Sequence, residues 1–102
     1  MFVTKKISEK GVTFYLSGRF GVGFYDRFRS VIDDIKTMQV KEIDINLSKL
    51  ENIDSMAVGL ILSAKEEAAK HGVSLVVSNP SAAIKPIIAS HHFEKYIKIQ
   101  DI

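Results

Sequence analysis

Cysteine is absent from the 102-residue chain. Its absence excludes disulfide bonds, zinc sites built on thiolates and cysteine nucleophiles. The chain also lacks a strong excess of either charge, because 14 Lys and Arg against 12 Asp and Glu leave a formal net charge of only +2. The basic residues are scattered without a dense run, so nucleic acid is not an expected partner.

Long hydrophobic runs are also missing. The longest nearly apolar stretch, residues 56–64, is far below the roughly 20 residues that a membrane-spanning helix needs. The first six residues lack the apolar segment of a signal peptide. We therefore expect a cytoplasmic protein without membrane insertion.

Only 2 prolines occur, and there is no linker, repeat or low-complexity tract. With 46% hydrophobic and 25% charged residues, the chain has the composition of a folded globular protein. Its length suits one domain, since typical domains hold roughly 100–150 residues. We predict a single domain over residues 1–102.

Four segments alternate between apolar and polar residues, which predicts β-strands. They are residues 2–7, 12–17, 42–47 and 73–77. Two of them carry polar side chains on their second face, namely Thr13, Glu42, Asp44 and Asn46. Strands buried on both faces of a doubly wound sheet are nearly all apolar, so we predict helices on one face and a second face largely open to water.

Helical patterns lie between these strands. An apolar stripe that begins at Phe24 predicts a helix over residues 24–37. A second helix is expected from about Ser55 to Lys70, ending before Gly72, which is a natural C-cap glycine.

The last quarter of the chain is less regular. A third helix should open at Pro80 or Ser81, and Pro86 should shorten or kink it because an interior proline removes a hydrogen bond. Residues 96–99 are a candidate last strand. The predicted order is ββαβαβα(β), with at least one parallel strand pair formed through a crossover.

Three glycines, Gly18, Gly21 and Gly23, separate the second strand from the first helix. Their spacing is GxxGxG, whereas dinucleotide-binding loops have GxGxxG and phosphate loops continue into Gly-Lys-Ser/Thr. A plain loop is the favoured interpretation. Backbone N–H groups at the helix start could still help to hold an anion, and that alternative stays open.

The histidines and serines do not form a catalytic or metal-binding pattern. His91 and His92 are adjacent, so on a helix they would point about 100° apart, and no HxxxH or HExxH spacing occurs. No serine lies in a GxSxG nucleophile elbow. We expect no metal, no cofactor and no enzymatic activity.

The strongest functional candidate is the pair Asp54 and Ser55. Asp54 suits the N-cap of the second helix, which places Ser55 at the first helical position with its hydroxyl outside the core. A helix cap is by itself a sufficient explanation of the pair. The position also suits reversible phosphorylation, because free N–H groups and the positive helix end stabilise a phosphate.

Four short motifs follow one another along the chain: LSGRF at 16–20, IDS at 53–55, SLVVSNPS at 74–81 and IASHHFEKY at 88–96. Together they resemble the STAS domain family, which includes bacterial anti-sigma factor antagonists and the cytosolic domains of sulfate transporters. The corresponding family motifs are L-x-G-x-L/F, D-S-[ST]-G-L-G, L-V-L-x-N-P-S and L-x-x-T-G-L/F-D-K-x-F. The resemblance implies the α/β STAS (SpoIIAA-like) fold, a single mixed sheet of four to five strands with helices packed mainly on one face.

The resemblance also implies a function in signal transduction. In the antagonist branch the serine after that aspartate, here Ser55, is phosphorylated by a partner Ser kinase/anti-sigma factor of the histidine-kinase-like ATPase type. Phosphorylation breaks the complex, and a metal-dependent PP2C-like phosphatase restores it. We expect the partner-binding surface to comprise Asp54, Ser55, Met56, Gly59, Gly21 and Gly23.

The sequence departs from the family pattern at three places. Met56 and Ala57 replace a hydroxyl residue and a glycine after the serine, and Gly21 stands where many antagonists carry an aspartate. His92 replaces a C-cap glycine, which should cost stability unless His92 adopts a left-handed φ.

Two other functional classes stay open. A constitutive STAS scaffold subunit, as in a transporter or lipid-transport complex, would dock a partner through the same helix without phosphorylation. A small hydrolase would require turnover that depends on Ser55.

Overall fold

The chain begins with a β-hairpin and then alternates helix and strand. The computed structural model describes residues 2–37 and 39–100, except for the side chain of Glu94. Two 3-10 turns, Val22–Phe24 and Phe93–Lys95, precede α1 and β5 respectively. The regular elements are β1 Phe2–Ile7, β2 Gly11–Phe20, α1 Tyr25–Thr37, β3 Glu42–Ile53, α2 Ser55–Lys70, β4 Ser74–Ser78, α3 Lys85–Ser90 and β5 Ile99–Gln100.

All five strands form one mixed sheet in the order β1-β2-β3-β4-β5. β1 is antiparallel to β2, and every later pair is parallel. Nearly all parallel crossovers are right-handed, and with a sequential strand order this puts every connecting helix on the same face. The predicted α/β class and the one-sided placement of helices are confirmed.

The hydrophobic core lies between the sheet and the helices. Alternate residues of the central strands are buried, among them Phe14 on β2 and Ile45 on β3. Phe20 at the end of β2 packs on Phe28 of α1, with ring centroids 4.9 Å apart and a tilt of 46°. Because the Asp54 N–H, at the start of α2, donates to the carbonyl of Phe20, this packing also holds the start of α2 in a defined position.

The second face of the sheet is less open than predicted. Asn46 and Ser78 on the central strands are buried, and Ser78 has 0% of its surface exposed. The side-chain oxygen of Asn46 is hydrogen-bonded within its own strand, because Oδ1 accepts from the N–H and the hydroxyl of Ser48. Asp44 is half-buried on this face, and burial raises its pKa, an effect that the nearby Ser78 hydroxyl opposes in part.

Two strands are longer than the alternation predicted. β2 continues to Phe20 and β3 continues to Ile53, with one register shift between Tyr15 and Ser17 and another between Gly18 and Arg19. Gly18 has φ +87° within β2, so Gly18 belongs to the strand and not to the predicted loop. The irregularity breaks the alternation of apolar and polar residues, so the strands predicted from that alternation ended before the observed ones.

The third, short helix is present, but its predicted start at Pro80 or Ser81 was wrong. α3 begins at Lys85, and Pro86 lies in its first turn, where the missing N–H removes no helical hydrogen bond. Ser81 instead anchors a preceding turn, because its hydroxyl donates to Leu50 O over 2.7 Å. The last strand is also displaced, from residues 96–99 to Ile99–Gln100.

His92 stands where the motif that the chain resembles has a C-cap glycine, and its backbone has the left-handed conformation that glycine adopts easily. Its φ of +52° and ψ of +35° lie in the left-handed region, which is unfavourable for residues with a Cβ. The replacement of glycine by His92 therefore strains the backbone at this one residue and leaves the path of the chain unchanged.

We expect His92→Gly to raise the free energy of unfolding by about 0.5–1 kcal/mol, because glycine adopts this φ without a steric penalty. His91, the preceding residue, has φ −96°, so His91→Gly should lower stability instead. Urea denaturation of the two variants beside the parent protein checks this, and a stability loss in His92→Gly would contradict it.

Candidate functional site

Asp54 caps α2, as the sequence predicted. Its backbone is extended, with φ −97° and ψ 174°, and its Oδ1 accepts from the N–H of Ala57 over 2.8 Å. The Val58 N–H donates to the Asp54 carbonyl over 3.1 Å and so begins the helical ladder. The cap fixes the direction in which α2 leaves the end of β3.

The second carboxylate oxygen of Asp54 is also engaged. Its Oδ2 accepts from the hydroxyl of Tyr25, the first residue of α1, over 2.5 Å. This hydrogen bond, together with desolvation and the negative charge of Asp54, raises the pKa of the Tyr25 phenol. Both oxygens of Asp54 are therefore held by donors within the domain.

Tyr25 is a site residue that sequence reasoning missed. It lies 29 positions from Asp54, and the residue pattern around it indicated only the beginning of a helix. No local signal marks such a contact, because it arises where the starts of α1 and α2 meet at one edge of the sheet.

The loop after β2 closes against the same aspartate. The Asp54 N–H donates to the carbonyl of Phe20 over 3.2 Å, and the Phe24 N–H donates to Gly21 O over 2.9 Å. A Cβ on Gly21 would lie 3.6 Å from Asp54 Oδ2, an ordinary contact distance. The structure therefore brings Gly21 beside Asp54, whereas Gly23 is exposed with open space around it.

Ser55 is exposed at the first position of α2. Within residues 2–37 and 39–100, its hydroxyl has no hydrogen-bond partner. The first N–H groups of a helix have no intrahelical acceptors, and Asp54 takes up the N–H of Ala57 only. The Ser55 hydroxyl is thus accessible, next to backbone donors at the positive end of a helix.

Exposed apolar side chains occur on both segments that meet at Asp54, the loop after β2 and the start of α2. Val22 is 81% exposed, Met56 is 56% exposed and Phe24 is 37% exposed. We call these three residues the apolar rim. Gly59, one turn further along α2, is exposed as well and leaves open space beside the rim.

The position of Phe24 corrects the predicted face of the first helix. Phe24 was assigned to the inward stripe of α1, but it ends the 3-10 turn Val22–Phe24. Because a 3-10 turn advances by a different angle per residue than an α-helix, Phe24 falls outside the buried stripe formed by Phe28, Val31 and Ile35. An apolar residue that looked like core is therefore part of the surface.

The chemistry available at the site is that of an acceptor hydroxyl and a docking surface. The carboxylate of Asp54, next to Ser55 in the chain, already accepts two hydrogen bonds. In the part of the chain that the structure describes, no group of three or more His, Asp or Glu side chains could hold a metal ion. Among the same residues, no helix is long and apolar enough to cross a membrane.

Comparison with known proteins identifies relatives of this chain. The family model of the STAS domain matches residues 3–101. A STAS-domain containing protein of Pseudomonas aeruginosa, PA14_20770, is 26% identical over 101 residues, which are 97% of this chain and 99% of that protein.

Two solved proteins share the fold over nearly the whole chain. TM1081 superposes with a TM-score of 0.83 at 19% identity, covering 99% of this chain and 82% of the other. The anti-sigma factor antagonist SpoIIAA gives 0.78 at 19% identity in its unphosphorylated form, covering 99% and 88%. In its phosphorylated form from Bacillus it gives 0.75 at 20% identity, covering 99% and 91%.

Proposed function

Since the chain belongs to the STAS domain family, we propose that it is a phosphorylation-controlled regulator similar to the anti-sigma factor antagonists. In this proposal Ser55 is the residue that accepts the phosphate. The observation that carries it is the exposed Ser55 hydroxyl, unpartnered among the described residues, beside a complete N-cap and the apolar rim. The protein acts as a single cytoplasmic domain and is itself not an enzyme.

The unphosphorylated protein binds its partner through the apolar rim. Exposed apolar patches ringed by polar residues are typical of protein interaction sites, and the flexible thioether of Met56 adapts to the shape of a partner. The partner is a Ser kinase/anti-sigma factor of the histidine-kinase-like ATPase type. Its active site must approach Ser55, so docking and phosphorylation use the same surface.

Phosphorylation adds about −1.5 to −2 charges in the middle of this surface. Because Ala57 N–H and the Tyr25 hydroxyl hold both oxygens of Asp54, the carboxylate keeps its cap while the phosphate turns outward. Added charge and bulk in an apolar contact oppose rebinding through desolvation. A PP2C-like phosphatase then restores the binding form without any refolding of the domain.

The relatives support this proposal. SpoIIAA is an anti-sigma factor antagonist known in an unphosphorylated and a phosphorylated form. Both superpose on this chain with similar TM-scores, 0.78 and 0.75, in keeping with a switch that alters a surface and leaves the fold unchanged.

Protein purified from its native cell should carry the mass of one phosphate group on Ser55, and phosphatase treatment should remove it. Intact mass spectrometry checks this, with peptide mapping to locate the group. Ser55→Ala should abolish the modification, whereas Ser63→Ala, an exposed serine of α2 two turns away, should retain it.

The alternatives give different results in the same experiment. A chain that never carries phosphate on Ser55, while still co-purifying with a transporter complex, would indicate a constitutive scaffold subunit. Hydrolytic turnover abolished by Ser55→Ala would indicate a hydrolase. Phosphate at Ser63 in place of Ser55 would contradict the proposed site.

A further inference from the structure

A second concave site lies toward the other end of α2 from Ser55. It is a surface pocket of about 450 Å³ between α2, β4 and the segment that leads into β5. Its walls include Lys65 and Ala69, which are 10 and 14 residues beyond Ser55. At a rise of about 1.5 Å per residue, the pocket is roughly 15–20 Å along the helix from the phosphorylation site.

Three lysines from three different elements line this pocket. Lys65 comes from α2, Lys95 from the 3-10 turn Phe93–Lys95, and Lys98 from the segment before β5. The described side chains of the lining include no acidic one, and none of these lysines forms an ion pair with a described side chain. An acidic side chain, Glu66, lines the adjoining pocket beside Lys65 and Lys95.

The backbone of β4 has an unpaired donor at Leu75, one of the residues that line this pocket. The Ser74 N–H points toward β3, where it donates to Lys41 O, and the Val77 N–H points toward β5, where it donates to Lys98 O. Backbone groups alternate between the two sides of a parallel strand, so the Leu75 N–H faces the β5 side. Because β5 begins only at Ile99, opposite Val77, this N–H has no strand partner among the described residues.

Leu75 lines the pocket and has an N–H for which the described residues supply no acceptor. This N–H is therefore available to an acceptor that binds there, and a backbone donor that finds no acceptor costs free energy. Tyr96 and Ile97 provide an apolar wall next to the lysines. The combination offers charge, a directed hydrogen bond and a surface for a small organic group, which is the usual make-up of a ligand site.

We propose that this pocket binds a small phosphorylated metabolite, with a phosphate oxygen accepting from the Leu75 N–H and the lysines neutralising its charge. Lysine is a common phosphate ligand. The three positive charges of the pocket suit a doubly charged phosphate better than a ligand that carries a single carboxylate. The organic part of the ligand rests on Tyr96 and Ile97. The site is separate from Ser55, so it holds whether or not the proposed function is correct.

The test is a titration of the 15N-labelled protein with inorganic phosphate, followed by amide NMR spectra at constant ionic strength. We expect a saturable shift of the Leu75 amide. The double variant Lys95→Gln/Lys98→Gln should weaken this binding by roughly tenfold, because each exposed charge contributes modestly. The matched control Lys5→Gln/Lys6→Gln removes two charges from β1 and should bind phosphate as the parent does.

Three results would overturn the proposal. The first is a Leu75 shift that stays linear up to high phosphate or that sodium chloride reproduces. The second is equal weakening in both double variants, which would show general screening by net charge. The third is a saturable shift at Met56 without one at Leu75, which would place the phosphate at the start of α2. Should the double variant be unstable, Lys65→Gln, which removes the third lysine of the same pocket, takes its place in the titration.

Discussion

Replacing Gly11 by alanine should lower the free energy of unfolding by about 3 kcal/mol, which is at the upper end for overpacking in a dense interior. A Cβ at this position would lie 1.9 Å from the carbonyl oxygen of Glu42 and 2.8 Å from its carbonyl carbon. Both atoms belong to the backbone of the neighbouring strand β3, which is parallel to β2. The strands must separate to admit the methyl group.

Gly11 matters because it begins β2 at the point where the hairpin joins the parallel part of the sheet. Its carbonyl accepts from the Ser8 N–H over 2.8 Å, which closes the turn between β1 and β2. A domain of this size has about 5–15 kcal/mol of stability, so the loss would be a large share of the total.

Urea denaturation of Gly11→Ala checks this expectation, with Gly23→Ala as the matched control. A methyl group on Gly23 would meet open space, with no atom of another part of the chain within 4 Å. This replacement should therefore change stability by less than about 0.5 kcal/mol. Equal stabilities of the two variants would show that β2 and β3 yield at Gly11 without cost.

Ser55→Asp should weaken binding to the kinase partner by roughly thirtyfold, equivalent to about 2 kcal/mol. Aspartate places a permanent negative charge at the first position of α2, next to Met56 of the apolar rim. A charge that is desolvated in an apolar contact opposes association. The same charge is favourable for the isolated helix, because it lies at the positive end of the helix dipole.

Thermal melting and affinity should therefore change independently in this variant. Ser55→Ala should bind as the parent protein does, and Ser55→Asp should melt close to the parent temperature while binding poorly. Ser63→Asp adds the same charge on an exposed position of the same helix and should leave binding intact. Isothermal titration calorimetry with the kinase partner measures the affinities, and equal affinities of the alanine and aspartate variants at Ser55 would contradict the switch.

The elements that could be predicted are those with local signals. α2 runs from Ser55 to Lys70 as expected, because Asp54 marks its beginning and Gly72, with φ +73°, marks its end. β1 also has its predicted bounds, Phe2–Ile7. A cap, a C-terminal glycine and a period of two act within a few residues, so they are visible in a single sequence.

Elements whose bounds depend on neighbours were predicted less well. β3 extends to Ile53 because β2 pairs with it across an irregular register, and the alternation alone ended six residues earlier. Pro86 looked like an interior residue of a helix, but the turn anchored by Ser81 on Leu50 O delays the start of α3 to Lys85. Such contacts connect residues far apart in the chain and leave no periodic mark.

By itself, the sequence determined the α/β class, the placement of the helices on one face and the cap that exposes Ser55, because each follows from local hydrogen bonding or from the spacing of apolar residues. It indicated the STAS fold only through the resemblance of four short motifs to a known family. Only the tertiary structure decided which groups surround that serine. The hydroxyl of Tyr25 reaches Asp54 because α1 and α2 begin at the same edge of the sheet, and Phe24 is exposed because a 3-10 turn precedes α1. The Leu75 N–H likewise has no strand partner among the described residues because β5 begins only at Ile99, a fact of strand pairing that no stretch of residues encodes locally.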